Sequence, residues 1–593
     1  MWWLVSAALA GERVTILHTN DWQSRLLGSP NRDYTPDSVN DDESLGGVAR
    51  IATLVDGIRA STDHPVLLMD GGDITMGSMF HLVTRETGGE LELMAMLEYD
   101  AVTFGNHDFD FRPEGCADML EAADLLPPIV ASNLQTNGAE GLEKLKSEGA
   151  ILDRLVIDKD GLTIGVIGLL GKNATEVMGQ VDPITSADQV ETATRMAAEY
   201  RAEGVDLVVV LSHSGVRIQE DGSWGDEDVA LMRAVPGIDV IVSGHSHTAL
   251  EEPILIDGRP VVQAGANTGY LGELVLEEQG DSWVVVEYTL HTIDDTTLGK
   301  AEVTEHVQTL QDLVSERIAP ARFDDLVAEV AHPMGKEEHE HELANVLTDA
   351  YRIATGSDFG MTGNGTIRNG LGEGPLQRSD LFLVDPLGIG SVDDSPGYAL
   401  SVAWFTGEDI RQVIEFLLIG YKTKGPSYIP RISGAEVFVN PRRIPLDQVD
   451  RVVFLDGHEI EAERLYSVAM TSYVATFLPV VSELTKGLLS PVMRGADGSP
   501  VEVAELYDAD PSEEGIQELK AWQALADHVA SLPDTDGDGL PNLPPEGVSE
   551  NRLVRAPSWN LLRNSTWKMK TVVLVPAGLL GLIGLLVARR MRR

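Results

Sequence analysis

From Arg13 to about residue 295, short β-branched runs empty one after another into polar turns. "RVTILHTND" (13–21), "PVLLMDGGD" (65–73), "AVTFGNHD" (101–108), "LTIGVIGLLG" (162–171), "DLVVVLSHSG" (206–215) and "IDVIVSGHSH" (238–247) read as strands. Longer patterns of helical period lie between them, at Gly46 to Ala60 and Gln189 to Gly204. Strands alternating with helices predict an α/β domain over 13–295 whose strands are buried on both faces. Such a fold gathers ligands beyond the carboxyl ends of its strands, which is where every polar motif above falls.

The pattern changes near residue 300. Ala301 to Pro320 reads as a connecting helix within an interdomain stretch, 300–324, and a mixed α+β domain is expected over 325–510. That domain carries "HELANVLTDAYRIAT" as a helix and "YALSVAWF" and "LYSVAMTSYVATFL" as strand-like runs. An acidic, proline-containing segment, 511–565, reads as a linker. At the end, Thr571 to Ala588 is an uncharged run of 18 residues, about 27 Å as a helix, and is expected to span a membrane. Arg589, Arg590, Arg592 and Arg593 in the tail 589–593 would face the cytoplasm and leave the acidic body outside. The apolar residues of 1–10, without a basic leader, read as a short or truncated signal peptide, so an exported, cell-surface or periplasmic body is expected.

Composition narrows the partners. The 593 residues, 43% apolar, are enough for about three to four domains with substantial cores. Acidic residues number 94 against 44 basic, a formal net charge of -50, which disfavours a nucleic-acid partner and fits solubility in a salty medium. Small phosphorylated ligands need metal ions or local arginines to reverse that field. A single cysteine, Cys116, rules out an intrachain disulfide framework and a cysteine metal cluster. No obligate protein partner is implied.

The chemistry lies in the strand-end motifs. Asp21 and Gln23 follow the first strand, and Asp73 closes "LLMDGGD". Asn106, His107, Asp108 and Asp110 make "GNHDFD", while His213 and the pair His245 and His247 follow later strands. Singly these are ordinary turn residues. Together their nitrogen and oxygen donors suit two divalent ions, zinc or manganese, in one site. No complete Walker sequence appears, which argues against an ATP-driven motor or kinase.

In their order, "TND-x-Gln", "DGGD", "GNHDFD", "SHSG" and "GHSH" resemble the calcineurin-like metallophosphoesterases, and more closely the 5'-nucleotidase family, over about residues 13–510. The resemblance implies a four-layer α/β sandwich followed by a nucleotidase domain. It implies Asp21, Gln23, Asp73 and His247 around one metal and Asp73, Asn106, His213 and His245 around the other, with Asp73 bridging. His107 and Asp110 would be the catalytic dyad in hydrolysis by a metal-activated water. Family members commonly have histidine where Gln23 stands, and some carry an amide at the position of His247, so imidazole and amide look exchanged. Arg368 in "GNGTIR" resembles the family's phosphate-binding arginine, and Phe438 in "ISGAEVFVNPRR" a base-stacking ring, with a core phenylalanine as the plainer reading. The family's glycine-rich aromatic loop is missing after "YSVAMTSYVATFL", and Pro386-Leu387 replaces a Pro-Phe pair.

The activity this implies is 5'-nucleotide hydrolysis. A 2',3'-cyclic phosphodiesterase, a nucleotide-sugar hydrolase or a thiosulfate-ester hydrolase are alternatives, and a surface binding or structural protein is the nonenzyme one. In "DTDGDGLPN", Asp534, Asp536 and Asp538 alternate as candidate calcium ligands. Pro545 at the twelfth position rules out an EF-hand, and the motif resembles one thrombospondin type-3 unit, with a solvated linker as the other reading.

Overall fold

In the computed structural model, which describes residues 11–179, 181–219, 221–479, 481–561, 565 and 570, the chain divides between Asp325 and Leu326 into two units. The strands of the first unit's two main sheets are β1 Arg13–Thr19, β2 Val66–Asp70, β3 Ala101–Val102, β4 Ile129–Val130, β5 Ile151–Leu152, β6 Leu155–Lys159, β7 Leu162–Leu170, β8 Leu207–His213, β9 Val240–Ser243, β10 Ile254–Ile256, β11 Arg259–Val262, β12 Tyr270–Gln279 and β13 Ser282–Thr292. They form a seven-stranded sheet, β13-β12-β1-β2-β3-β4-β5, and a six-stranded sheet, β10-β11-β9-β8-β7-β6. The β1-to-β5 pairings are parallel, as are β7-β8, β8-β9 and β9-β11. Each ligand motif of the sequence follows one of these parallel strands.

The pleat explains the apolar runs. Val14, Ile16, Leu67 and Met69 of the first sheet meet Ile164, Val166, Val209 and Val240 of the second in one core between the sheets. The alternate residues Ile167, Val208, Val210 and Ile241 pack outward against Ala193, Met196 and Tyr200 of helix α2, Gln189–Glu203, and against Val229 and Met232 of α3, Glu227–Ala234. On the far side of the first sheet Thr15, Leu17 and Thr19 are also buried. His64, just beyond helix α1, Val48–Ser61, covers Thr15, and Tyr99 covers Thr19. The central strands are covered on both faces, while the edge strands β6, β10 and β13 keep exposed residues, and each Val, Ile or Leu fully buried contributes about 1.5–3 kcal/mol. The connecting helix, Ala301–Arg317, belongs to this unit and stops three residues short of Pro320.

In the second unit, β14 Leu326–Val330 leads to helix α4, Glu342–Thr355, which follows the predicted helical run. A five-stranded sheet contains β15 Phe359–Gly363, β16 Leu400–Thr406, β17 Pro430–Ser433 and β18 Leu465–Thr471. The run "LYSVAMTSYVATFL" is a strand only to Thr471, whose hydroxyl accepts the Val474 N–H and starts the helix Ser472–Thr476. The larger correction concerns 511–565. Helix Ala521–Ala530 buries Trp522, Leu525 and Val529, and the strands Asn542–Leu543 and Leu553–Arg555 pair with β14 and with Ala435–Val439. This acidic stretch is part of the second unit's fold because its apolar residues recur at helical spacing, and its acids stay on the surface except Glu518, whose buried carboxylate pairs with Lys520.

Among the described residues no helix is long and apolar enough to cross a membrane. The expected membrane segment 571–588, the basic tail 589–593 and the leader 1–10 lie outside the described residues.

Candidate metal centre

The loops after five parallel strands bring their polar residues together. Asp21, Asp73 and His213 place one ligand atom each within 4.8 Å of one another, all buried. His213 Nε2 is 3.2 Å from Asp73 Oδ2, and His247 Nε2 is 3.3 Å from Asp21 Oδ1. The Gln23 amide lies 3.0 Å from His247 Nε2, so the amide and imidazole flank the same carboxylate side of the site. The rings of His213 and His245 are 5.1 Å apart, edge to face. Beside Asp73, the backbone N–H of His107 donates to Oδ1 at 2.8 Å, and His107 Nδ1 meets Asp110 Oδ2 at 3.0 Å.

The backbone is unusual at these residues. Asp21 (φ 52°), Gln23 (50°), Asp73 (57°), His245 (70°) and His247 (53°) all sit in the left-handed region. A non-glycine residue there is uncommon, and such conformations cluster where a site imposes them. Two motif glycines answer close approach. A Cβ on Gly105 would lie 2.0 Å from Asp73 Oδ1, and one on Gly244 would lie 2.6 Å from the Gly71 carbonyl and 2.8 Å from His213 Nδ1.

The donor set fits divalent ions. Asn106 is buried and its Oδ1 has no hydrogen-bond partner among the described residues, and neither does His213 Nε2. Buried polar atoms left this way call for another partner. His213 Nδ1 faces the Gly71 carbonyl at 2.9 Å and donates its proton there, which turns Nε2 towards Asp73 as a metal-binding imidazole requires. Burial disfavours charge on both members of that pair, but their attraction prevails: Asp73 is held below the ordinary carboxylate range and His213 above the ordinary imidazole range. A divalent ion supplies the same positive charge with the imidazole neutral. His245 is pushed down to about 4 by burial and by the neighbouring His213 charge, so it is a neutral donor near pH 7.

Several residues that hold the ligands carried no assigned role in the sequence reading. Asp70 accepts from the Thr19 hydroxyl and the Gly72 N–H, joining the loop of Asp21 to that of Asp73. Asp108 accepts from the N–H groups of Ile74, Thr75 and Gly105. The Asn20 amide donates to Asp21 Oδ2 and to the Gly265 carbonyl. Burial lifts Asp70 to about 7 and also raises Asp108. Asp108 stands inside a quoted motif and could have been found there; Asp70 offers only its position at a strand end.

In the second unit, Arg368 donates its N–H to the Val384 carbonyl, and its own carbonyl accepts from Lys336 Nζ at 2.8 Å. Phe438 is half-buried and one face of its ring is taken by the Arg451 guanidinium, 4.1 Å from the centroid. Only the opposite face is left for a base. Of the candidate calcium ligands, Asp536 and Asp538 group with Glu329. Asp534 accepts the N–H groups of Gly537 and Gly539 and shapes the turn.

Residues 14–249 match the family described as calcineurin-like phosphoesterase, and residues 326–477 match that described as 5'-nucleotidase, C-terminal domain. The trifunctional nucleotide phosphoesterase protein YfkN of Bacillus subtilis is 26% identical over 510 residues, 78% of this chain and 32% of that protein. The 5'-nucleotidase of Bos taurus is 31% identical over 282 residues, 44% of this chain and 46% of that protein. The chain therefore spans about a third and somewhat under half of these two relatives' lengths. The solved structure of a 5'-nucleotidase precursor from Thermus thermophilus superposes with a TM-score of 0.65 at 21% identity, covering 87% of this chain and 96% of that one, a likeness of fold.

Proposed function

Because the chain belongs to the 5'-nucleotidase family of hydrolases, with a calcineurin-like phosphoesterase domain followed by the family's C-terminal domain, we propose that it removes phosphate from nucleotides with the aid of two divalent ions. The observation that carries this is the convergence of Asp21, Asp73 and His213, with Asn106 Oδ1 left unpartnered, beside the His107–Asp110 pair. Asp21, Gln23, Asp73 and His247 would hold one ion, and Asp73, Asn106, His213 and His245 the other. Zinc or manganese suits these donors. When bound, the ions supply charge neutralisation at the phosphoryl oxygens and a lower proton affinity for the attacking water.

The remaining chemistry falls to side chains. With Nδ1 directed at Asp110, His107 exchanges protons through Nε2, donating to a phosphoryl oxygen or to the departing alkoxide. Asp110 fixes that tautomer and steadies the charged ring. Arg368 is the candidate for clamping two phosphate oxygens. With Arg451 over one side of its ring, Phe438 could stack on one face of a base, and with the glycine-rich aromatic loop missing no second ring is assigned to the base's other face. We further infer export of the body and retention by the segment 571–588, which rests on hydropathy and on the tail arginines.

Product analysis with nucleoside monophosphates (inorganic phosphate), sugar nucleotides (nucleoside monophosphate and sugar phosphate), 2',3'-cyclic nucleotides (ring-opened monophosphate) and a thiosulfate ester (sulfate), each with zinc and with manganese, tests the assignment. Fastest turnover on a nucleoside 5'-phosphate is expected. Turnover confined to one of the other classes would replace it.

A further inference from the structure

Asp228 lies outside every motif, fifteen or more residues from either ligand histidine of the second sheet, yet it joins the two loops that carry them. It is the second residue of α3, fully buried. Its Oδ1 accepts the Ser212 hydroxyl at 2.6 Å, and its Oδ2 accepts the Ser243 hydroxyl at 2.6 Å and the Gly215 N–H at 3.1 Å. Ser212 and Ser243 face each other on the last rung between β8 and β9. Ser212 immediately precedes His213, and Ser243 stands two residues before His245. The chain of hydrogen bonds continues outward on both sides. Gln263 Nε2 donates to the Ser243 hydroxyl and the Gly244 carbonyl, while its Oε1 accepts from Ser246. On the other side Ser214 pairs with the Ser212 hydroxyl and accepts from Gln189.

We propose that Asp228 is a positioning residue for the metal centre, setting the spacing of His213 and His245 through Ser212 and Ser243. The chemistry of the group supports this. Three donors converge on two oxygens, which a carboxylate satisfies with lone pairs to spare. An amide of the same shape turns its NH2 either towards the Gly215 N–H, which breaks that arm, or towards a serine hydroxyl, which must then reverse and accept, so an asparagine breaks or reverses one arm of the bridge and removes its charge. Partners of this kind, one bond behind a ligand, typically govern metal affinity by roughly 10- to 100-fold.

The inference rests on the metal-site reading, and one experiment separates the two. Wild-type protein and Asp228→Asn, both confirmed folded by circular dichroism, are stripped with chelator and titrated with cobalt(II), following affinity and the visible ligand-field spectrum. The variant is expected to bind cobalt about 10- to 100-fold more weakly, with an altered spectrum. Equal affinity and an identical spectrum in a wild type that loads cobalt overturn the positioning role alone; a folded wild type that loads none takes both readings down. Should the asparagine variant not fold, Ser212→Ala and Ser243→Ala each remove one arm of the bridge and are judged by the same two criteria. Ser243→Thr, which keeps the hydroxyl, is expected to restore the wild-type spectrum, and failure to do so counts against the bridge.

Discussion

Replacing His107 by alanine tests the chemistry because the structure separates the side chain's work from the backbone's. The N–H of residue 107 donates to Asp73 Oδ1 at 2.8 Å and survives the substitution, so Asp73 keeps that partner. The imidazole is 18% exposed and Asp110 13%, so removing the largely buried ring leaves a gap that reaches the surface, which water can enter to solvate Asp110. Loss of a positioned proton donor costs roughly 100- to 10,000-fold, about 2.7–5.5 kcal/mol in the barrier. Asp110→Asn keeps an acceptor opposite Nδ1 and loses only the charge assistance of a 3.0 Å bond. A charged hydrogen bond exceeds a neutral one by about 1–1.5 kcal/mol, or roughly 5- to 13-fold in rate. His107→Ala should therefore be far slower than Asp110→Asn, with the metal content of both near wild type. Phosphate release on a nucleoside monophosphate and elemental analysis of the same samples measure this. Equal rates across the three proteins would refute the dyad, and metal loss from His107→Ala would move His107 into the ligand set.

Gln23→Ala should weaken metal retention against chelator and Gln23→His should match or exceed wild type, since imidazole is the stronger donor; equal retention in all three would put Gln23 outside the ligand set. His81 is fully buried against Phe111 and depressed to about 3 by that burial, so the unfolded chain, at about 6.5, takes up a proton first, and stability from this group is whole above pH 6.5 and lost as pH falls towards 3. His81→Phe lacks that slope and should gain about 2 kcal/mol on wild type between pH 7 and pH 5 in urea unfolding, and parallel pH profiles would contradict it. With a net charge of -50, raising salt from 0.1 to 1 M, which shortens the screening length from about 10 to 3 Å, should raise the melting temperature; a fall would show that attractive pairs dominate the surface. Deleting Thr571 onward should move an active enzyme from the membrane to the soluble fraction, and a full-length chain already soluble would defeat the anchor.

How far the sequence could be read depended on the range of the interactions. Strands β1, β2, β7, β8 and β9 were legible because burial on both faces demands apolar runs that end abruptly in polar turns. The helix Ala521–Ala530 was equally periodic, with Ala521, Trp522, Leu525 and Val529 on its buried face, but the surrounding acids concealed it in any windowed composition. Ser472–Thr476 was missed for a local reason: β-branched residues continue past Thr471, and only the hydroxyl cap shows where the strand gives way. Glu329 joins Asp536 and Asp538 through the pairing of Asn542–Leu543 with β14, a contact across more than 200 residues that spacing cannot reveal.

The site divides along the same line. Its candidate ligands follow strand ends and so stand in readable motifs, whereas Asp228 and Gln263 act through bonds that only the assembled sheet creates. Their contribution can be weighed against the backbone they support. Five candidate ligand residues in the left-handed region cost about 1–2 kcal/mol each, so roughly 5–10 kcal/mol together, which is comparable with the whole stability of a domain. Local preference alone would relax Gln23, His245 and His247 into extended or right-handed turns. They are kept in place by bonds such as Gln23 N–H to the Asp73 carbonyl and His245 N–H to Asp21, and by the buried carboxyls Asp70, Asp108 and Asp228 behind them. The same geometry leaves Asn106 Oδ1 without a hydrogen bond among the described residues. Metal binding should thus repay both the strain and that unmet acceptor, which makes the folded ligand loops, more than the isolated motifs, the source of affinity.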